Sequence, residues 1–501
     1  MDILQIKHLG KISLFVNFFL KSLFNNTYFF LYFLIYLNIM NDYIIIGCGI
    51  SALYAAYNIQ KKYPNAKITI LEKEKIGGRI GLKEFYGVNV PIGAGIGRKG
   101  DKLLLSLLKE LNIPTKKIKL NSFSMFKKIN ILTDLKLLRD QFKKYKKKKT
   151  NKNPTFKKFA KKILKKKTNK NPKKKTNKNP KKKTNKNSKK KTNKNPKKKT
   201  NKNSKKKTNK NPTFKKFAKK ILKKKYKLFI QSSGFSDYEN EDVQRTLYNY
   251  NMEDNVRNGI GYLINWNLLL DKLVQCVCAN ENGNKNANTT IKIEEVKSFK
   301  RKDDKIIVKG SNAVYNTHKL IIATTATSLH KLLSGYKYVC GQPFLRMYAK
   351  FNPSNILINR MKELNNTNCI LTDGPLQKIL PINIEKGIYM ISYSDNSYAL
   401  ALKPYIKNTN KNRKYFEKLF NECLFSHLVD NCEKRATIAL PTIKALWGKF
   451  WDIGTHYFAP TEKKVNQMPF DNIFIIGEMI SEHQGWTEGA LDSVEKIKKY
   501  L

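Results

Sequence analysis

Short, wholly apolar runs alternate with stretches of helical period along most of this chain. Tyr43–Ile46 is the first such run, and a helical pattern then extends to about Lys62. Pro64-Asn65 makes a turn, Ile68–Leu71 is a second apolar run, and Glu72 ends it. Continuous apolar runs of this length suit parallel strands buried on both faces, so residues 43–72 read as a βαβ unit. Further along, Asp101–Leu111 is an amphipathic helix, and a helix is expected over Asn267–Val277. Ile291–Phe299 and Lys305–Lys309 read as a hairpin, and Lys319–Thr324 as a buried strand. The polar, acidic stretch Ser236–Asn255 reads as helical.

The turn inside the βαβ unit carries the chemistry. Gly47-Cys48-Gly49-Ile50-Ser51-Ala52 is G-x-G-x-x-A between strand and helix, with Glu72 20 residues beyond Ala52. This is the layout of a dinucleotide site. Gly47 permits the tight turn, and Gly49 lets backbone approach a pyrophosphate at the helix N-terminus, where free N–H groups and the dipole favour anions. Ala52 allows close helix–strand packing. Glu72 at the tip of the second strand suits a ribose diol. A glycine turn in an ordinary α/β domain would leave Glu72 to coincidence.

Two further stretches indicate which dinucleotide. Gly77-Gly78-Arg79 follows Glu72, and Asn472–Ser493 reads NIFIIGEMISEHQGWTEGALDS. Both resemble motifs of the flavin-containing amine oxidase family. The resemblance implies a two-domain α/β flavoprotein: a discontinuous, Rossmann-like FAD-binding domain and a substrate domain with a mixed sheet. The expected FAD-binding segments are 40–120, 259–335 and 451–501, and the substrate-domain segments 121–142, 226–258 and 336–450.

The resemblance also assigns roles. Gly77, Gly78 and Arg79 would lie along the FAD pyrophosphate, and Gly93-Ala94-Gly95 under the flavin ring. Val296 would offer a backbone contact near the adenine. Gly477 and Glu478 would meet the ribitol-phosphate, and Gly485-Trp486-Thr487 would open the helix that completes the site. No cysteine stands near Gly454, so the FAD is expected to be non-covalent. Trp486 would form one wall of a substrate cage, and the stretch Trp451–Phe458 the other, through His456 or Tyr457. Arg346 stands where the family has a lysine that holds a water by flavin N5; it keeps the charge but cannot act as a base.

The implied reaction is hydride transfer from an amine α-carbon to the flavin, with O₂ as acceptor, giving an imine and H₂O₂. Polyamines are the family's leading substrate class. Two other readings stand beside it: a flavin desaturase or dehydrogenase of a non-amine, and a catalytically degenerate flavoprotein.

Charge changes the picture in one place. The net charge of this 501-residue chain is +62, and Thr150–Lys225 alone holds 36 lysines and no acidic residue. Within residues 143–225 the octapeptide K-K-K-T-N-K-N-[PS] recurs, and Thr150–Lys167 is repeated identically as Thr208–Lys225. The octapeptide cannot build a core and is expected to be disordered. Each 18-residue copy reads as a basic amphipathic helix. The insert is either an inert surface-loop expansion or a non-specific contact for nucleic acid or an anionic membrane.

Residues 1–39 hold apolar runs at Ile12–Leu20 and Tyr28–Leu37, each short of the ~20 residues that a spanning helix needs. Three readings apply: leader sequence ahead of a start at Met40, a membrane anchor over 12–39, or a soluble helix. The seven scattered cysteines fit reduced thiols in a cytoplasmic protein, and Cys276-x-Cys278 has no partners at zinc-ligand spacing, so no metal is expected.

Overall fold

The structure is a computed structural model, and it describes residues 40–125, 130–151, 211–233, 236–248, 259–278, 288–429, 439–460 and 465–501. The apolar extension at 1–39, most of the lysine-rich insert and part of the 236–255 stretch lie outside these residues. The chain divides into two units, one of residues 1–135 and 211–501 and the other of 136–210. In the second, only the later turns of helix Ile131–Asn151 are described.

The first unit contains two large sheets, beside a three-stranded and a two-stranded one. Its parallel sheet centres on strand Met40–Ile46, flanked by Ile68–Glu72 and Val314–Ile322, with Ile44 opposite both Thr69 and Leu320. Thr289–Ile293 extends it beyond Ile68–Glu72, and Ile473–Ile475 pairs with the second half of Val314–Ile322. Three stretches far apart in sequence therefore make one sheet. The helices Ile50–Lys62, Trp266–Cys278, Lys102–Glu110 and Thr487–Glu495 share a core with Ile45, Ile70, Ile321 and Phe474, in which Ala52, Ala55 and Ala56 are buried. Such small side chains let the first helix come close to the sheet.

One expected element divides differently. The expected hairpin with Lys305–Lys309 forms from Val296 onward, as Val296–Lys302 against Lys305–Gly310 in the same sheet, but the earlier residues Thr289–Ile293 make a separate strand parallel to Ile68–Glu72. Glu294 marks the break: its carboxylate accepts the N–H groups of Asn312 and Ala313, and its backbone N–H donates to the Glu72 carbonyl.

The second sheet runs in the order Ile443–Phe458, Val339–Phe351, Ile388–Asp395, Lys378–Asn383, Cys369–Leu371 and Ser122–Ser124. It is mixed, since only the last pair is parallel. Side chains of successive strand residues point to opposite faces. In Val339–Phe351 the residues Leu345, Met347, Ala349 and Phe351 enter a core with the helices Asn355–Glu363 and Asn410–Val429. The alternate residues, Phe344, Arg346 and Tyr348, turn the other way. That face meets the first layer at residues 91–95: Tyr348 Oη donates to the Pro91 carbonyl at 2.6 Å and Trp451 Nε1 to the Ile92 carbonyl at 2.9 Å.

The second copy of the 18-residue repeat corrects the expected insert boundary at Lys225. Phe214–Leu222 is a helix of the first unit, capped by Thr213 Oγ1, with Phe214, Phe217, Ala218 and Leu222 buried. Lys215 pairs with Glu239, and the Phe214 and Lys215 N–H groups donate to the carbonyls of Glu241 and Glu239. The globular chain thus resumes at Asn211, 15 residues earlier than the composition suggests. Phe214→Ala should lower the unfolding free energy by about 3–5 kcal/mol, read from the denaturant midpoint. A midpoint within error of the unmodified protein's would show that this helix is not part of the core.

Candidate active site

The first helix starts without a side-chain cap and without an acid in its first turn, so its leading N–H groups are free for an anion. Gly47 has φ +97° and its Cβ position is filled by the Ala323 carbonyl, so only glycine fits. Gly49 is different: nothing lies within 4 Å of where its Cβ would be, which leaves an open cradle. Gly77 bridges to Gly49, its N–H donating to the Cys48 carbonyl at 2.8 Å, and Gly78 lies against the Gly49 Cα. Gly477, at φ +120°, faces Ser51 Oγ from the far end of the chain. Gly47, Gly49, Ser51, Gly77, Gly78 and Gly477 are therefore brought together, with Ala52 buried behind them.

Glu72 stands at this cradle, but its oxygens accept the Cys48 N–H at 2.7 Å and the Glu74 N–H at 2.9 Å. It shapes the glycine turn as well as edging the site. Val296 opens its strand at the outer side of the sheet, two residues after the Glu294 N–H that touches the Glu72 carbonyl.

Arg79 is the hub. Its Nη1 donates to Glu478 Oε1 at 2.5 Å and to the Gly454 carbonyl at 2.9 Å. His456 Nδ1 lies 2.5 Å from the same Glu478 oxygen, and the Ala326 N–H donates to His456 Nε2 at 3.0 Å. Accepting at Nε2 leaves the proton on Nδ1, so His456 is neutral and donates to Glu478. Burial pushes the His456 pKa down, against the pull of Glu478. Burial raises Glu478, but His456 and Arg79 beside it, with the Gly485 N–H on Oε2, hold it well below the usual carboxylate range.

This cluster changes two expected roles. His456 is 1% exposed with both ring nitrogens occupied, so it positions Glu478 instead of lining a substrate path. Glu478 spends both oxygens on protein donors, which leaves Gly477 facing the cradle. Tyr457 points to the other side of its strand, opposite Cys340. Burial and then Cys340 raise its hydroxyl to about 12.

The segment Gly93–Gly95 is held from several sides. The Arg79 carbonyl fills the Cβ position of Gly93 and accepts the Ala94 N–H at 3.1 Å. Trp266 Nε1 donates to the Gly95 carbonyl at 3.3 Å, and the Arg346 guanidinium packs against Gly95. Arg346 is 4% exposed, lies 4.4 Å from the Tyr393 ring centroid and 5.1 Å from that of Phe344, and donates from Nη1 to Met390 Sδ.

Trp486 precedes helix Thr487–Glu495, after Gly485 at φ +80°. The Arg98 guanidinium stacks on its ring at 3.4 Å and pairs with Asp101 at 3.1 Å. Glu488 caps the neighbouring helix by accepting the Leu103 and Leu104 N–H groups at 2.9 Å. Across the second sheet, Trp451 carries Lys449 at 4.4 Å and Lys75 at 5.5 Å from its ring centroid. Burial and then Lys449 lower the Lys75 pKa. Arg98, Lys75 and Lys449 were not among the residues that the motifs single out. Lys449 sits directly opposite Arg346 across the strand pair, a register that no local pattern reveals. Among the described residues no group of three or more metal-ligating side chains occurs, and no helix is long and apolar enough to cross a membrane.

Residues 45–111 match the NAD(P)-binding Rossmann-like domain family. An uncharacterized protein of Acanthamoeba polyphaga mimivirus is 25% identical over 121 residues, which is 22% of this chain and 23% of that protein. The match thus spans less than a quarter of that relative. Among solved structures, a redesigned cofactor-binding variant of putrescine oxidase superposes with a TM-score of 0.62 at 10% identity, over 92% of this chain and 98% of that one. Wild-type putrescine oxidase bound to putrescine gives 0.59 at 10% identity over the same shares. The fold is the two-domain Rossmann-like fold of those chains.

The buried cluster sets a pH dependence. The unfolded chain takes up a proton at His456 near pH 6.5, its ordinary value, whereas the folded chain resists it. Stability therefore falls as pH drops below that value, and falls again below 4.5 as Glu478 is protonated in the unfolded chain first. Urea midpoints should drop between about pH 7.5 and 5.5, and His456→Gln should flatten that drop. An equal slope in the variant would mean that His456 is not the group responsible.

Proposed function

We propose that the protein is an FAD-dependent oxidoreductase that oxidises a carbon–nitrogen bond. The observation that carries this reading is one assembly: Gly49 and Gly78 form an open cradle at an uncapped helix N-terminus, and the second sheet holds the Pro91 and Ile92 carbonyls through Tyr348 and Trp451 just before Gly93–Gly95, with Arg346 against Gly95. A pyrophosphate fits the first part, since it needs close backbone approach and unpaired N–H donors. A flat ring system fits the second, since Gly93 and Gly95 present backbone. Glu72, Arg79, Ala94, Gly477 and Val296 border the same ground.

Bound FAD supplies the two-electron acceptor: the amine loses a hydride and a proton as C–N becomes C=N, O₂ takes the electrons and leaves as H₂O₂, and water hydrolyses the imine. The chain itself supplies orientation and electrostatics. Trp451 and Trp486 wall the approach and exclude water, and Arg79, fixed by Glu478, holds the strand at Gly454 in place. His456 and Glu478 have no free atom to act as a base, so the amine must bind already deprotonated. Arg346 cannot take a proton either; it orients and stabilises negative charge.

Purified protein should release FAD on denaturation, and Gly49→Val should reduce bound flavin to a trace, because the new side chain fills the cradle. Anaerobic addition of a substrate amine should bleach the flavin absorbance. A folded protein that binds no flavin would overturn this reading at its root. Bound flavin that no amine reduces would leave the cofactor and overturn the substrate class.

A further inference from the structure

We propose that Arg346 is a carboxylate-binding residue, and that the substrate is an amine bearing an acid group, not a polyamine. The proposal rests on the amine-oxidising reading above and names its substrate class. Arg346 is 96% buried on a face that meets Gly95, and among the described residues it pairs with no carboxylate. Its Nε is buried with no hydrogen-bond partner, Nη1 donates to the weakly accepting sulfur of Met390, and the one oxygen it interacts with among the described residues is the neutral Tyr348 hydroxyl. A permanently charged guanidinium placed this way is costly until an anion arrives. Its planar fork matches a carboxylate in two hydrogen bonds.

The surroundings have the same sign. Lys449 faces Arg346 across the strand pair, and Lys449 and Lys75 both lie on Trp451. Arg98 already covers a face of Trp486. An aromatic wall attracts a cation through its ring quadrupole, but these walls are already supplied with cations from the protein. The acids nearby are committed, Glu478 to Arg79 and His456, and Asp101 to Arg98. A diamine would add positive charge beside Arg346 with no uncommitted carboxylate among the described residues there to receive it. An amino acid or related amine-bearing acid, bound with its amine deprotonated, would bring the missing anion and keep that amine for the flavin side.

The test uses the flavin-loaded protein, with binding of benzoate, benzylamine and inorganic phosphate followed by calorimetry and by perturbation of the flavin spectrum. Benzoate should bind, and Arg346→Met should weaken it about 10- to 100-fold, the worth of a charge-assisted hydrogen-bond pair. Arg346→Lys should restore part of that loss. Lys449→Gln, which leaves Arg346 in place, should weaken benzoate a few-fold, and neither Arg346→Met nor Lys449→Gln should weaken benzylamine. Benzoate affinity unchanged in Arg346→Met, or benzylamine preferred over benzoate by the unmodified protein, would overturn the proposal. Phosphate competing as well as benzoate would also overturn it, since the site would then take any small anion. The flavin readings are independent: bleaching by diamines but not by amino acids would keep the amine-oxidising reading and sink this one.

Discussion

The bond set of Arg79, Glu478 and His456 is the constraint on which the rest of the site depends. It joins a residue just after the second parallel strand, one near the end of the longest strand of the second sheet, and one after the final strand. Two of the three could be charged, and burying charge is expensive unless every lone pair and proton has a partner. Here the buried pair is matched: Glu478 takes Arg79, His456 and the Gly485 N–H, and His456 takes the Ala326 N–H. Removing one member of such a set costs about 3–5 kcal/mol, because the others are left buried and unmatched.

What that set fixes lies at its edges. The Arg79 side chain holds the Gly454 carbonyl of the second sheet, while the Arg79 carbonyl holds Ala94 and excludes any side chain at residue 93. Through Gly485 it sets the turn that presents Trp486. One arginine, with the Glu478 it binds, thus aligns the segment Gly93–Gly95, the strand leading back to Trp451 and the turn before the last helix. A site built from three distant stretches of chain needs such a tie, since no single element spans them.

The parts of this arrangement that were legible in the sequence are local. Strand, glycine turn, helix and Glu72 lie within about thirty residues, so their periodicity and spacing report the unit directly. The Gly477-Glu478 and Gly485-Trp486 stretches are likewise continuous. What the sequence concealed is non-local. His456 next to Glu478 follows from the packing of two chain segments, and Lys449 opposite Arg346 follows from strand register. Arg98 reaches Trp486 across 388 positions of sequence. The repeat misled for a related reason: Thr150–Lys167 and Thr208–Lys225 are identical, so composition cannot reveal that Phe214 and Phe217 of the second copy are core residues. Glu294 hid a strand break because its role depends on a loop 18 residues away.

Sharing a fold with putrescine oxidase does not carry its ligand across, because substrate choice resides in the few side chains that meet the ligand. Those side chains differ in kind from the glycines of the cradle. The cradle works through backbone, which any sequence with the right glycines supplies. On the proposed reading the walls work through charge, and Arg346, Lys449, Lys75 and Arg98 all have one sign. Specificity is a difference between two affinities, and an unpaired buried cation discriminates on both sides of it. It repels a second cation, and it leaves a desolvated donor unmatched whenever the ligand lacks an anion. A buried guanidinium without a carboxylate is thus informative because the protein alone does not balance it.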